Sequence, residues 1–140
     1  MKRVFVFLSM LAAGSAVGAA PPAMKPGLWE ITMSMEVQGM PGGMPATKLQ
    51  HCYKAEDIKD LRKTVPKQTN SKCDVADWKQ SGNTVTYSMS CSGPTAATMT
   101  GNMTYAGDRY SGSSKISMNQ GGRMMHMTQK FDARRIGDCK

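Results

Sequence analysis

The fold is decided by a stretch near the start of the chain that reads Trp29-Glu30-Ile31-Thr32-Met33-Ser34-Met35-Glu36-Val37. Apolar and polar residues alternate strictly along its whole length. Because successive side chains of a strand point to opposite faces, this period of two predicts a half-buried β-strand. The same alternation returns in several later segments, so the chain is expected to be antiparallel β almost throughout.

Proline and glycine set the expected limits of the neighbouring strands. Two prolines and two glycines between Met40 and Pro45 predict a loop, because proline cannot donate to a ladder of hydrogen bonds. A short strand is then expected from Lys48 to Tyr53. The last strand is expected from Met124 to Arg135, with Phe131 and Ala133 on its inner face.

A hairpin is expected around Gly107-Asp108, which has the composition of a two-residue turn. This turn would place Tyr105 opposite Tyr110 and Met103 opposite Gly112. A glycine opposite a large side chain indicates a place where the sheet packs closely.

One segment, residues 55–65, has the period of a helix. Its apolar residues Ile58, Leu61 and Val65 lie three and four positions apart, with acidic residues in the first half and basic residues at the end. Pro66 would end this helix, since proline cannot continue the hydrogen-bond pattern.

The length of 140 residues allows one domain. Residues 1–20 combine a basic start, an apolar run and a small-residue end, which is the layout of a cleaved secretory signal. Residues 21–140 are expected to form a single all-β domain in the periplasm. Its predicted architecture is an antiparallel meander of about seven strands with one short helix, forming a curved sheet, a sandwich or a partial barrel. No segment is long and apolar enough to span a bilayer.

The formal charge of +8 falls to about +6 once Lys2 and Arg3 are removed with the leader. An exported chain with few aromatic residues for base stacking is not expected to bind nucleic acid. Anionic envelope lipids are the partners that a moderately basic exported protein would attract.

Four cysteines, an even number in a small exported domain, predict two disulfides: Cys52, Cys73, Cys91 and Cys139. Their spacing lacks a Cys-x-x-Cys pair, which argues against a zinc site. A turn at Ser81-Gly82 would place Trp78 opposite Val85 and leave Cys73 on the other face from Cys91. A Cys73–Cys91 bridge would then need a bulge, so Cys52–Cys73 with Cys91–Cys139 is the preferred pairing, and the connectivity stays open.

Three segments together resemble a known family: Pro26-Gly27-Leu28-Trp29-Glu30, Tyr105-Ala106-Gly107-Asp108-Arg109-Tyr110-Ser111-Gly112 and Arg135-Ile136-Gly137-Asp138-Cys139. The chain is similar to the family catalogued as domain of unknown function 3617. Members of this family are small exported proteins of Gram-negative bacteria. The resemblance implies a periplasmic location, a β-rich domain and disulfides. It implies no activity and no catalytic residue.

The sequence contains few residues of the types that act as catalytic groups. His51 and His126 are the only histidines, and the chain has neither a nucleophile elbow nor a glycine-rich phosphate loop. The expectation is therefore a protein that is not an enzyme.

Methionine is in excess, with 14 in the chain. Thioethers beside a histidine bind copper(I), and the best candidate group is Met124-Met125-His126-Met127, with Met40 and Met44 as further members. Met124 and His126 share one face of the strand. Strand parity turns Met125 and Met127 to the opposite face, so the run offers two donors per face. Copper binding is thus the alternative hypothesis, with no cofactor expected otherwise.

The favoured hypothesis is a non-catalytic binding or envelope-associated module for an apolar small molecule or lipid. Methionine repacks around varied ligands, and an apolar inner face of a β-meander suits such cargo. The residues expected on that face, either as core or as pocket, are Trp29, Trp78, Tyr87, Met89, Met103 and Phe131.

Overall fold

The structure, a computed structural model, describes residues 23–65, 72–94 and 96–140. The described residues form one open, seven-stranded antiparallel sheet, which confirms the predicted all-β meander. The predicted secretory signal, residues 1–20, lies outside the described residues. The strands are β1 (Gly27–Val37), β2 (Met44–Tyr53), β3 (Lys72–Ser81), β4 (Thr84–Ser92), β5 (Ala97–Tyr105), β6 (Arg109–Gln120) and β7 (Arg123–Gly137).

The strand order across the sheet is β2-β1-β7-β6-β5-β4-β3. Strand β1 therefore pairs with both β2 and β7, and the two edges are β2 and β3. The strand predicted from Lys48 begins earlier, at Met44, and includes Pro45. An edge strand tolerates proline because one side of its backbone has no partner strand.

The inner face of the sheet is the one that carries Trp29. The predicted strand is confirmed as β1, and burial alternates in its first half, where Trp29 and Ile31 are buried and Glu30 and Thr32 are half-buried. Phe131 and Ala133 of β7 are also buried, as predicted, whereas Met124 is exposed on the outer face. The predicted hairpin register between β5 and β6 is confirmed as well: Tyr105 lies opposite Tyr110, Met103 opposite Gly112, and Met99 opposite Ile116.

The predicted register of the first hairpin was wrong: its turn lies one residue later, which moves each cross-strand partner by two positions. The turn is Gly82-Asn83, so Ser81 pairs with Thr84 and Trp78 lies opposite Tyr87. Gly82 has φ +57°, and glycine is favoured where the first central residue of a two-residue turn needs a positive φ.

The preferred cysteine pairing was also wrong. The disulfides are Cys52–Cys139 and Cys73–Cys91. A bulge in β3 between Val75 and Asp77 shifts the strand by one residue. This bulge places Cys73 directly opposite Cys91, with their Cα atoms 4.0 Å apart.

The predicted helix over 55–65 is broken into two single turns. An α-turn, α1 (Ala55–Ile58), is followed by a 3-10 turn, Leu61–Thr64. Asp60 has extended dihedrals and its carboxylate accepts a hydrogen bond from the backbone N–H of Arg62, so the chain restarts there instead of continuing as a helix.

The two turns belong to the connection between β2 and β3, which joins opposite edges of the sheet. Leu61 and Val65 are part of the buried core, and the Oγ1 of Thr64 lies 3.0 Å from the hydroxyl of Tyr105. The connection is therefore packed on the inner face. In the part of the chain that the structure describes, no helix has the length and apolar character needed to cross a membrane.

Candidate functional site

One end of the inner face is filled by aromatic rings. The ring centroid of Tyr110 lies 5.3 Å from Trp29, 5.8 Å from Tyr105 and 6.4 Å from Phe131. The indole N–H of Trp29 donates to the carbonyl oxygen of Lys25 at 3.1 Å. Within the described ranges, every buried side-chain nitrogen or oxygen has a hydrogen-bond partner. We call this end the aromatic core, and its four rings are at most 3% exposed: Trp29, Tyr105, Tyr110 and Phe131.

The phenol groups of the buried tyrosines carry perturbed pKa values. Burial raises the pKa of Tyr53, Tyr87 and Tyr110, and raises that of Tyr105 to about 12. These are all four tyrosines of the chain. The cause is the loss of hydration, which disfavours the charged phenolate.

We expect no tyrosine of the folded protein to ionise near pH 10. In the unfolded chain the phenols ionise near their usual pKa of about 10, so above that pH the unfolded state holds fewer protons than the folded state. The free energy of unfolding should then fall, by up to about 3 kcal/mol for Tyr105 alone between about pH 10 and 12. Tyrosinate absorbance in native buffer and in urea measures this directly, and Tyr105→Phe should make the fall less steep. Ionisation of any tyrosine near pH 10 in native buffer would contradict the packing described above.

The other end of the inner face holds an open apolar cavity of about 660 Å³, which we call the methionine groove. Its floor is made of buried residues: Ile31, Tyr53, Val65, Met99 and Ile116. Its walls are half-buried side chains: Met33, Met35, Met118, Met127 and Gln129. Its rim carries the exposed side chains of Leu49, His51 and Lys63.

Strand direction explains why rings and thioethers separate into two ends. Strand β1 runs from Trp29 at its start to Met33 and Met35, while β7, its antiparallel neighbour, runs from Met127 to Phe131. Antiparallel pairing therefore puts the methionines of both strands at the same end. Their flexible side chains line the groove together with those of Met99 and Met118.

The six residues expected on a ligand face lie elsewhere. Trp29, Tyr87, Met89, Met103 and Phe131 are each at most 3% exposed, and Trp78 is half-buried against Tyr87 at the far edge. None of the six lines the methionine groove. That they contact a ligand stays a prediction, and their observed environment is packed core.

Sequence reasoning missed the groove residues for two reasons. Met33 and Met127 were assigned to the correct face, but parity does not show which end of a face is open. Leu49 and His51 lie on edge strand β2, and Lys63 lies on the connection from β2 to β3. Their position over the groove depends on long-range packing, for which the sequence carries no local signal.

Of the copper candidates, His126 lies with Met40 and Met127 in the lining of one surface pocket, which Met124 and Met125 do not join. Met124 is 58% exposed, and His126 is exposed on the outer face with its Nδ1 2.9 Å from the Oγ of Ser117. Met127 also lines the methionine groove on the opposite face, as expected from parity. The described residues contain no group of three or more His, Cys, Asp or Glu side chains able to hold a metal, and all four cysteines are in disulfides. Copper binding stays a prediction.

Each of the two histidines contacts the side chain of a neighbouring residue. The ring of His51 contacts that of Tyr53, with 4.4 Å between centroids. Ser117 and His126 are cross-strand neighbours, which accounts for their hydrogen bond. Over the ranges that the structure describes, no carboxylate bonds to the His126 ring to orient it as a base, so this pair is not a catalytic triad.

The outer face is polar, and two of its acidic groups, Glu30 and Glu36, form ion pairs. Glu30 accepts hydrogen bonds from the guanidinium of Arg134, with Nη2 at 2.9 Å, and Lys130 lies 2.8 Å from Glu36. These groups are cross-strand neighbours of β1 and β7 on the face opposite the methionine groove. The methionine groove, by contrast, is lined mainly by apolar side chains.

Comparison with known proteins agrees with the resemblance seen in the sequence. A family model described as "Protein of unknown function (DUF3617)" matches residues 24–139. Searches of curated proteins and of solved structures found no match. The matched segment begins at Met24, which forms a β-bridge to Gly107, and ends at Cys139, which closes a disulfide. The chain, matched over most of its length, belongs to this family of proteins of unknown function.

Proposed function

We propose that this protein is a non-catalytic periplasmic module that binds an apolar small molecule or lipid chain in the methionine groove. The observation that supports this proposal is the groove itself. About 660 Å³ of open space lies over buried apolar residues, beside an aromatic core that is filled. That volume is within the range of about 300–1,000 Å³ typical of small-molecule sites.

The composition of the groove favours an apolar ligand. Four methionines form its walls, and thioether side chains adapt their rotamers to ligands of different shape: Met33, Met35, Met118 and Met127. The floor residues Val65, Met99 and Ile116 are at most 5% exposed. A bound acyl chain would therefore lose contact with water on more than one side, which stabilises the complex through the hydrophobic effect.

The periplasmic location is supported by the cysteines and by the start of the chain. Both disulfides are of the kind that persist in an oxidising compartment. Residues 1–20 have the layout of a secretory signal, as argued above.

Strand β7 offers a matched pair of variants that tests the site. Met127 lines the groove, and Met124, three residues earlier on the same strand, is exposed on the outer face. We expect N-phenylnaphthylamine, a neutral apolar fluorophore, to bind the wild-type protein. Met127→Glu should weaken this binding at least about tenfold, since a carboxylate must be dehydrated beside the probe. Met124→Glu should change the affinity less than about twofold, as a charge on the far face meets only solvent.

Circular dichroism of both variants controls for loss of structure, and Met127→Gln provides a milder version of the same change. Equal binding by the Met127 and Met124 variants would show that the probe lies outside the groove. Absence of probe binding to the wild-type protein would contradict the proposed function.

A further inference from the structure

We propose that the ligand of the methionine groove is a single-chain fatty acid whose carboxylate lies at the rim beside Lys63 and His51. This inference rests on the proposed function and assigns the chemical class of its ligand. It is carried by the distribution of charge around the groove and by the direction in which the groove runs.

The lining of the groove includes basic side chains but no acidic residue. Lys63 and His51 are its two basic groups, and no Asp or Glu contributes to it. Lys63 lies on the 3-10 turn Leu61–Thr64, so its ammonium is carried by the connection that packs over the inner face. A cationic rim above apolar walls is complementary to a molecule with an anionic head and an apolar tail.

The ammonium of Lys63 forms no ion pair with the residues that the structure describes. Its neighbour Arg62 is held by Asp60 at 2.8 Å, and the carboxylates of Glu30 and Glu36 are held by partners on the outer face. Lys63 is therefore the basic group at the rim that is open to an external anion. One permanent cation matches one negative charge, which favours a monoanion such as a carboxylate.

The groove runs across the strands. Its lining residues come from β2, β1, β7, β6 and β5 in that order, from His51 at the rim to Met99. Four strand spacings of about 4.8 Å give a path of about 19 Å, which suits one extended acyl chain. His51 lies at the β2 end of this path and Met99 at the β5 end, so an acyl chain whose carboxylate lies beside His51 would extend over Ile116 toward Met99.

Titration calorimetry with three ligands of equal chain length tests the assignment: laurate, dodecanol and dodecyltrimethylammonium. We expect laurate to bind about fivefold more tightly than dodecanol, which is the upper end of what an exposed ion pair contributes. The ammonium compound should bind more weakly than dodecanol. Shortening laurate to decanoate should cost about tenfold, because each buried methylene contributes to the hydrophobic term.

The charge at the rim is tested by Lys63→Gln. This variant should lose the preference for laurate over dodecanol while keeping its affinity for dodecanol within about twofold. Lys59→Gln is the matched control, since Lys59 lies on the same connection, is exposed and does not line the groove. It should keep the preference of the wild-type protein.

Equal binding of all three ligands would overturn the head-group assignment and leave the proposed function standing, whereas binding of none would contradict both. If a lysophosphatidylglycerol with the same acyl chain bound more tightly than laurate, the carboxylate assignment would be wrong and the head group would be a phosphodiester. A dimer in sedimentation whose interface blocks the groove would assign the groove to a second copy of the chain. That result would overturn the fatty-acid proposal.

Discussion

Removal of the Cys52–Cys139 disulfide by the double change Cys52→Ala and Cys139→Ala is expected to lower the free energy of unfolding by about 4–5 kcal/mol. The two cysteines are 87 residues apart, so the bridge closes a loop that spans most of the described chain. A long loop restricts the unfolded ensemble strongly, and its release gives that ensemble back its entropy. Small domains are stable by about 5–15 kcal/mol, and the loss is a large part of this.

Urea unfolding followed by circular dichroism measures the loss. The second bridge gives the comparison, because Cys73–Cys91 closes a loop with a separation of only 18 residues. The same relation predicts about 3 kcal/mol for Cys73→Ala with Cys91→Ala. An unchanged urea midpoint in the Cys52 and Cys139 variant would contradict the expected effect. A peptide map without reductant checks the pairing itself by joining the peptide of Cys52 to that of Cys139.

The long-range bridge also bears on the groove. Cys52 lies near the end of edge strand β2, and β2 has β1 as its one neighbour in the sheet. Leu49 and His51 of the same strand form the rim of the methionine groove. Opening the bridge should therefore loosen this rim first, since an edge strand is held by hydrogen bonds on one side only.

The elements that could be predicted from the sequence are those with local signals. Alternation placed β1 and the end of β7 correctly, and the Gly107-Asp108 turn set the register of β5 with β6. In each case short-range pattern and tertiary packing agree. The face that carries the methionines follows from the same parity.

The wrong cysteine pairing comes from one inserted residue, whereas the first hairpin differs because its turn lies at Gly82-Asn83. The bulge between Val75 and Asp77 has no compositional mark, because these residues fit a regular strand equally well. Everything that depends on register beyond the bulge changes with it, including the face on which Cys73 lies. The groove could not be predicted for a related reason, since its rim is made by an edge strand and a connection that meet only in the folded chain.

A substitution at Gly112 is the second change for which we expect a large effect. Gly112 of β6 lies between Met103 of β5 and Phe131 of β7. A Cβ at this position would collide with the carbonyl oxygen of Asn102 and would lie 2.6 Å from the Cε2 of Phe131. Gly112→Ala should therefore lower the free energy of unfolding by about 3 kcal/mol or more, because either the backbone of β5 or the buried ring must move.

Gly137 of β7 is the matched control. A Cβ there meets no atom within 4 Å, and, as at Gly112, its φ lies outside the positive range that disfavours alanine. Gly137→Ala should change the free energy of unfolding, measured in urea, by less than about 0.5 kcal/mol. Equal effects of the two substitutions would mean that Phe131 does not pack on Gly112. Phe131 is part of the aromatic core, so the Gly112 variant also tests whether the aromatic end of the inner face is filled. Ligand binding is assigned to the methionine groove because the aromatic end is filled.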